Sequence, residues 1–339
     1  MKRFAASILF LVMCLATLGG NTLADTAFNE EFYEGNHIWD QGIITTRSIA
    51  VAGDAVYGLM TNGDIYRWTP KTGECMRFAQ VAALPKFDME KPFSKQNDNL
   101  KKELGKAVFS LIGTEEALYG FNPITGGFGC IQDGGIVWND VRLDTSILMQ
   151  RDHSYPLSIE YPFVEGDTLY GFYDMAWQQA GEHPCQAILL SFDLKTGVCT
   201  ANELPGALRF CRYTPGNLLL MRDNGTKTPV LTRYALANGE QVDLDIPLPL
   251  EIDREYYSDW WAFNTQIGGL AYDRVSGAIY LADLDGLWIG KEGAPFSRWS
   301  PAERWDYLVS NSQAWVLHDG RYVLHNGSVY AFVLSDRML

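Results

Sequence analysis

The chain has 339 residues, of which 47% are hydrophobic and 13% aromatic, and its 27 basic and 41 acidic side chains give a net charge of −14 at pH 7. This charge repels phosphate backbones and anionic lipid surfaces, so it argues against binding to nucleic acid or to a membrane surface. The length exceeds that of a usual single core, which predicts either two domains or one architecture built by repetition.

The N-terminus has the features of a secretory signal peptide. Lys2 and Arg3 precede an apolar run from residue 4 to residue 18, and small residues at 22–24 predict cleavage before Asp25. No later stretch approaches the roughly 18 consecutive apolar residues that a membrane-spanning helix needs. We therefore expect residues 1–24 to be a signal peptide. The mature protein is expected to be exported to the periplasm, the cell surface or the medium.

Two short patterns recur along the rest of the chain. The first is a Gly-Asp or similar pair before an apolar and aromatic run, as at 53–59 and 166–172. The second is an aromatic residue followed by a turn that ends in Thr-Gly or Asn-Gly, at 68–73, 121–126, 192–197 and 234–239, with a shortened copy at 299–301. Both patterns are typical of β-hairpins, since Pro and Asp favour the turn and Gly accepts a left-handed conformation.

Six copies of the first pattern, each repeat with two hairpins, predict a β-propeller. We expect an all-β fold of six blades, with seven as the alternative, each a four-stranded antiparallel sheet. Little sequence follows the copy at Gly327, which predicts an incomplete last blade closed by residues 29–46. Residues 25–339 would then form a single propeller domain.

Two phrases also carry a resemblance to known proteins. Leu-Tyr-Gly-Phe at 118–121 and 169–172, and Phe-Asp-Leu-Lys-Thr-Gly at 192–197, resemble exported bacterial β-propellers of the quinoprotein-like (PQQ-like repeat) and six-bladed classes, over about residues 47–332. The resemblance implies the fold, and it implies an association with solute-uptake systems. Quinoprotein blades place a Trp soon after the Thr-Gly pair, whereas Cys75 and Cys199 lie in that region here. We therefore expect no quinone and no other cofactor.

Four longer insertions, at 82–106, 133–158, 174–184 and 251–265, fall between blades or between the second and third strands of a blade. These connections are expected on one face, where binding residues tend to lie on a rigid scaffold. The opposite face should carry the short turns, with the Gly-Asp turn joining the first strand of a blade to its second and the Thr-Gly turn joining the third to the fourth. We expect these turns only to reverse the chain. The first insertion is rich in lysine and predicts a helix from about Asp98 to Leu104, ended by Gly105, with its lysines in solvent; the alternative is a contact for an acidic partner.

Aromatic and charged side chains in the other insertions are the candidate ligand-binding residues. Tyr and Trp combine a large apolar surface with one polar group, which suits stacking on sugar rings or anchoring a protein partner. The alternative interpretation is that these rings pack between blades. The candidates are Tyr256, Tyr257, Trp260, Trp261, Trp177, Trp138, Asp140 and Arg254.

The sequence contains no recognisable catalytic or metal-binding motif. HExxH, the nucleophile elbow and the Walker loop are absent, and His183 beside Cys185 is too little for a zinc site. We therefore expect no catalytic residue and no metal. Carboxylate pairs such as Asp140 with Asp144 leave an enzyme as the alternative.

These observations predict an exported, non-catalytic binding or scaffold propeller that captures a glycan, a peptide or a cell-surface protein through its insertion-bearing face. The alternative is a polysaccharide-acting enzyme, either a glycoside hydrolase or a lyase, that uses carboxylates on the same face. Cys75 and Cys199 occupy equivalent positions in different blades, too far apart for a disulfide, so we expect neither to bridge the other nor to be reactive.

Overall fold

The structure is a computed structural model that describes residues 46–69, 74–85, 95–149, 159–174, 186–251, 267–274, 277–283, 286–298, 314–316, 322–325 and 330–333. Several predictions fall outside these described residues. They are the signal peptide, the N-terminal closure of the last blade, and the candidate site residues Trp177, Arg254, Tyr256, Tyr257, Trp260 and Trp261.

The described strands form the antiparallel sheets of an all-β β-propeller, and within each sheet the strands lie side by side in chain order. The four-stranded blades are β1–β4 (Thr46–Ala52, Ala55–Met60, Asp64–Thr69, Glu74–Gln80), β5–β8 (Ser110–Gly113, Leu118–Asn122, Gly127–Gln132, Gly135–Trp138), β9–β12 (Glu160–Glu165, Thr168–Asp174, Gln186–Asp193, Cys199–Pro205), β13–β16 (Ala207–Arg212, Asn217–Arg222, Val230–Ala235, Gln241–Asp243) and β17–β20 (Ile267–Tyr272, Ala278–Asp283, Gly286–Lys291, Ala294–Arg298).

The blade count corrects the sequence prediction. The described residues form five four-stranded blades, not six or seven. A further sheet has three strands, β21 (Ala314–Val316), β22 (Tyr322–His325) and β23 (Tyr330–Val333). The described end of the last repeat copy, 330–332, lies in β23 and so in this smaller sheet instead of a complete four-stranded blade.

The chain divides into two compact units, one of Met1–Phe172 with Leu190–Ala201 and one of Tyr173–Leu189 with Asn202–Leu339. In the first unit the leading strands of successive blades are neighbours, β1 with β5 and β5 with β9. Ser48 accepts a hydrogen bond from the Leu111 amide across this contact at 2.9 Å. In the second unit β13 lies beside β17 and β17 beside β21.

Each unit has an apolar core between its blades. The core of the first unit joins β1–β4 to β5–β8 and includes Tyr57, Leu59, Ile65, Leu111 and Ile131. The core of the second unit joins β13–β16 to β17–β20 and includes Leu219, Met221, Leu231, Leu270 and Leu281. Alternate residues of each strand point to one sheet face, so the apolar positions of neighbouring blades meet.

We define the turn end of a blade as the end that joins its first strand to its second and its third to its fourth. The connection end is the other one. At the turn end of β9–β12, the Leu194 amide donates to the Asp167 carbonyl at 2.9 Å. In β13–β16 the Leu236 amide bonds the Gly216 carbonyl at the same distance, 2.9 Å. The two short turns of these blades therefore lie together, as the sequence predicts.

Blade β5–β8 differs from the prediction in two places. Its Thr125-Gly126 turn joins the second and third strands, β6 and β7, and so lies at the connection end. Residues 133–134 form a two-residue hairpin turn, and Gly135–Trp138 is the fourth strand β8. The insertion predicted at 133–158 is therefore wrong over its first residues, because an Asp-Gly pair between two apolar runs closes a hairpin. The connection to the next blade begins after Trp138.

The lysine-rich connection contains the predicted helix, α1, at Asp98–Leu104. Asn97 caps its start by accepting a hydrogen bond from the Leu100 amide at 2.8 Å. Its end is held by the buried side chain of Asn122, whose amide donates to the carbonyls of Leu104 at 3.0 Å and Ala107 at 2.7 Å. A capping side chain at each end satisfies backbone groups that a short helix leaves unpaired.

Candidate functional site

Two of the sequence-predicted site residues lie in the described part of the chain, Trp138 and Asp140, and the structure places them at the same connection end. Trp138 is the last residue of β8 and is half-buried. Asp140 follows two residues later and is exposed. The connection that begins here continues to the short helix α2, Ser146–Met149.

A glycine-rich strand forms the floor under Trp138. β7 begins Gly127-Phe128-Gly129, and Gly129 is the direct partner of Trp138 across the pair β7–β8. A Cβ atom on Gly127 would lie 3.1 Å from Trp138 Cε3 and 2.8 Å from Arg142 Nη1. Both side chains therefore lie against the open surface that Gly127 leaves. An aromatic ring over cross-strand glycines restores the packing that the glycines lack.

The connection is fixed by main-chain hydrogen bonds on two sides. On the side of its own blade, the Asn139 amide donates to the Phe128 carbonyl at 2.9 Å, and the Leu143 amide donates to the Gly126 carbonyl at 2.8 Å. On the side of the next blade, the Asp144 amide donates to the Gly197 carbonyl at 2.7 Å. Residues 139–144 thus run between the Thr-Gly turns of two consecutive blades. We call this arrangement the glycine clamp.

Both glycines of the clamp have a backbone conformation and surroundings that exclude other residues. Gly126 has φ +65° and Gly197 has φ +78°, in the left-handed region. A Cβ atom would lie 2.0 Å from the Leu143 carbonyl oxygen at Gly126, and 2.1 Å from the Arg142 carbonyl oxygen at Gly197. The clamp therefore depends on the absence of a side chain at both turns.

The clamp corrects the prediction that the short turns only reverse the chain. The turn of Gly197 lies at the turn end of its blade, yet it holds the connection that leaves the previous blade. Each strand of a sheet is rotated by about 20–25° relative to its neighbour, so the outer hairpin of a blade runs in a different direction from the first strand. This rotation brings the turn of the outer hairpin at Gly197 to the connection from the previous blade. The repeat pattern predicts the glycine, but nothing local in the sequence predicts what packs against it.

The exposed side chains of the connection carry charges of both signs. Asp140, Arg142 and Asp144 are all exposed. Neither Asp140 nor Arg142 forms an ion pair with any residue that the structure describes. Sequence reasoning missed Arg142, although it lies two residues after Asp140 in the same insertion.

Asp144 differs from its neighbours because its carboxylate is already bonded. The Ser146 amide donates to Asp144 Oδ1 at 3.0 Å. Hydrogen bonds from the Ser146 side chain and then from its amide lower the pKa of Asp144. A carboxyl group with a lowered pKa is ionised at neutral pH, which is the opposite of what a general acid needs.

Cys199, at the start of β12, has a free thiol. Burial first, and the charge of Asp144 second, raise its pKa to about 11. The thiol is therefore protonated at neutral pH, and a protonated thiol is a poor nucleophile and a poor metal ligand. Because this thiol is free, Cys199 forms no disulfide with Cys75, whose own side chain lies outside the described residues.

Within the described ranges, no three His, Cys, Asp or Glu residues lie close enough together to hold a metal ion. No helix among the residues described is long and apolar enough to cross a membrane.

No protein-family model matches the sequence, and no curated protein matches it. Two solved structures resemble the chain over most of its length, each at 12% identity. The computationally designed Ika8 protein has a TM-score of 0.39, with 87% of this chain and 72% of that chain covered. A chain of a mitotic checkpoint complex has a TM-score of 0.42, with 86% of this chain and 77% of that chain covered.

Proposed function

We propose that this protein is a non-catalytic binding or scaffold propeller that captures a glycan, peptide or protein partner at the connection ends of its blades. The observation that carries the proposal is the connection after β8. It presents the exposed charged side chains of Asp140 and Arg142, and the Arg142 guanidinium lies at Gly127 next to the half-buried ring of Trp138. Neither charge is paired with a described residue, so both are available to a partner.

The glycine clamp supports this proposal because it fixes the backbone that carries these side chains. Main-chain hydrogen bonds hold the segment at Asn139, Leu143 and Asp144. A binding segment that is ordered before its partner arrives loses less conformational entropy on binding. Sites supported by rigid elements also keep their side chains in position more accurately than free loops do.

The enzyme alternative receives no support from the carboxylate pair Asp140 and Asp144. A glycosidase needs one carboxyl group that is still protonated near neutral pH, beside a second that is ionised. The pKa of Asp144 is lowered, and the carboxyl of Asp140 is exposed. The pair therefore lacks the opposed environments that acid–base catalysis uses.

Two further parts of the proposal rest on the sequence alone. Export rests on the apolar segment with its basic start at Lys2 and Arg3. Association with a solute-uptake system rests on the resemblance to exported bacterial propellers.

A binding and recovery experiment tests the proposal. The purified mature chain is applied to an array of immobilised oligosaccharides and to an array of peptides. Retained probes are then incubated with the chain for hours and weighed by mass spectrometry. We expect at least one probe to be retained and to keep its mass. Cleavage or elimination of a retained probe would favour the enzyme alternative, and retention of no probe on either array would contradict binding.

A further inference from the structure

We propose that Trp138, Asp140 and Arg142 form a shelf that binds a neutral saccharide. We call these three residues the Trp138 shelf. This inference rests on the proposed binding function and narrows it to one site and one class of ligand. Three features of the described residues support it, namely the ring, the two charges and the glycine floor.

The first feature is the position of the ring. Trp138 is half-buried, since one part of it packs against the apolar core of the first unit while the rest is accessible. Its strand position is set by the pairing with Gly129. A ring that is anchored in this way keeps an apolar surface and an indole N–H, and pyranose rings stack on such a surface through their C–H groups.

The second feature is the combination of Asp140 and Arg142. A guanidinium only donates hydrogen bonds and a carboxylate only accepts them, whereas a sugar hydroxyl does both. A sugar hydroxyl therefore suits either residue, as an acceptor towards Arg142 and as a donor towards Asp140. Asp140 and Arg142 carry opposite charges, so the three residues of the shelf have no net charge of their own. This favours a neutral saccharide over an acidic or basic peptide.

The third feature is the floor that brings the ring and the guanidinium together. A Cβ atom placed on Gly127 would lie 2.8 Å from Arg142 Nη1 and 3.1 Å from Trp138 Cε3, so these two side chains meet over this glycine. The neighbouring Val137 is exposed, but alternation along β8 directs it to the other face of the sheet. The shelf is thus a ring with two polar groups, without the wider apolar surface that a protein interface uses.

The test uses an array of neutral oligosaccharides of glucose, xylose and N-acetylglucosamine, with uronic acid oligosaccharides and peptides on the same array. The strongest neutral oligosaccharide is then titrated by calorimetry. We expect the dissociation constant to rise at least tenfold in Arg142→Ala and in Trp138→Ala. The matched control is Arg233→Ala, another exposed arginine on strand β15, which should leave the constant unchanged.

Gly127→Ala provides a variant that removes no contact with the sugar. Its methyl group would lie 2.8 Å from Arg142 Nη1 and 3.1 Å from Trp138 Cε3 and Thr125 Oγ1, so the flexible arginine end moves while the ring and the threonine shift by tenths of an ångström. We expect weaker binding, and the melting temperature is measured beside it. If Trp138→Ala does not fold, Trp138→Phe keeps an apolar cover over the glycines and should weaken binding several-fold. Circular dichroism confirms that each variant used is folded.

The outcomes separate this inference from the proposed function. Retention of neutral oligosaccharides with the expected losses supports both. Retention of peptides or acidic sugars alone, or neutral binding that survives Arg142→Ala and Gly127→Ala, overturns the shelf and leaves a binding propeller standing. Retention of nothing overturns both.

Discussion

The glycine clamp predicts an unequal cost for the same substitution at two turns of one blade. Gly166 has φ +58° and Gly197 has φ +78°, so alanine at either position is strained by about 1–2 kcal/mol. A Cβ on Gly166 meets nothing within 4 Å, whereas one on Gly197 would lie 2.1 Å from the Arg142 carbonyl oxygen. Relieving that overlap costs about 1–3 kcal/mol. The hydrogen bond to the Asp144 amide adds about 1 kcal/mol if it is lost.

We therefore expect Gly166→Ala to lower the free energy of unfolding by about 1–2 kcal/mol, and Gly197→Ala by about 3–6 kcal/mol. Urea denaturation followed by far-ultraviolet circular dichroism measures both values in the full chain. Hydrogen exchange reports the Asp144 amide, which should be protected in Gly166→Ala and exchange faster in Gly197→Ala. Equal costs for the two substitutions would refute the argument that a close backbone approach, as well as the turn conformation, requires glycine here.

Three further predictions concern other described residues. Asn122→Ala leaves two buried carbonyls without their side-chain donor and should cost about 2–4 kcal/mol in urea denaturation, whereas the exposed Asn238→Ala should cost less than about 1 kcal/mol. Because the pKa of Cys199 is raised to about 11, its thiol should react slowly with iodoacetamide at pH 7.5 in the folded chain and quickly in urea. Peptide mass spectrometry measures the extent of labelling, and fast labelling of the folded chain would contradict the burial of this thiol. Hydrogen bonds from the hydroxyl of Thr232 and the guanidinium of Arg222 lower the pKa of Asp243. The stability that the ionised Asp243 contributes is therefore present above the pKa of about 4 that the residue has in the unfolded chain, and it is lost as the pH falls through the lower pKa of the folded chain. The urea midpoint should therefore fall less between pH 6 and pH 3 in Asp243→Asn than in the wild type or in the control Asp245→Asn, and an equal fall in all three would argue against this coupling.

Local signals in the sequence predicted the features that are decided locally. Helix α1 has the predicted bounds because a capping residue precedes Asp98 and a glycine follows Leu104. The turn glycines were predicted for the same reason, since a left-handed position selects glycine whatever surrounds it. The four-stranded antiparallel sheets follow from the spacing of these turns along the chain.

Features that depend on distant parts of the chain were not predicted. A Thr-Gly turn has the same local sequence whichever two strands it joins. The sequence therefore predicts that the turn at Gly126 joins a third strand to a fourth, whereas it joins the second strand β6 to the third strand β7. Strand β8 is only four residues long and begins with the second of two consecutive glycines, 134 and 135, so its sequence resembles part of a loop. The glycine clamp depends on contacts between separate segments, since the connection at 143–144 meets turns at Gly126 and Gly197.

The most direct test of the account is hydrogen exchange of the full chain with and without the oligosaccharide that the array retains. Saturation with this ligand should slow exchange in residues 136–144, which carry the Trp138 shelf. Exchange in the turn ends at 114–117 and 236–240 should stay unchanged. Protection confined to those turn ends, with none at 136–144, would contradict binding at the connection ends of the blades.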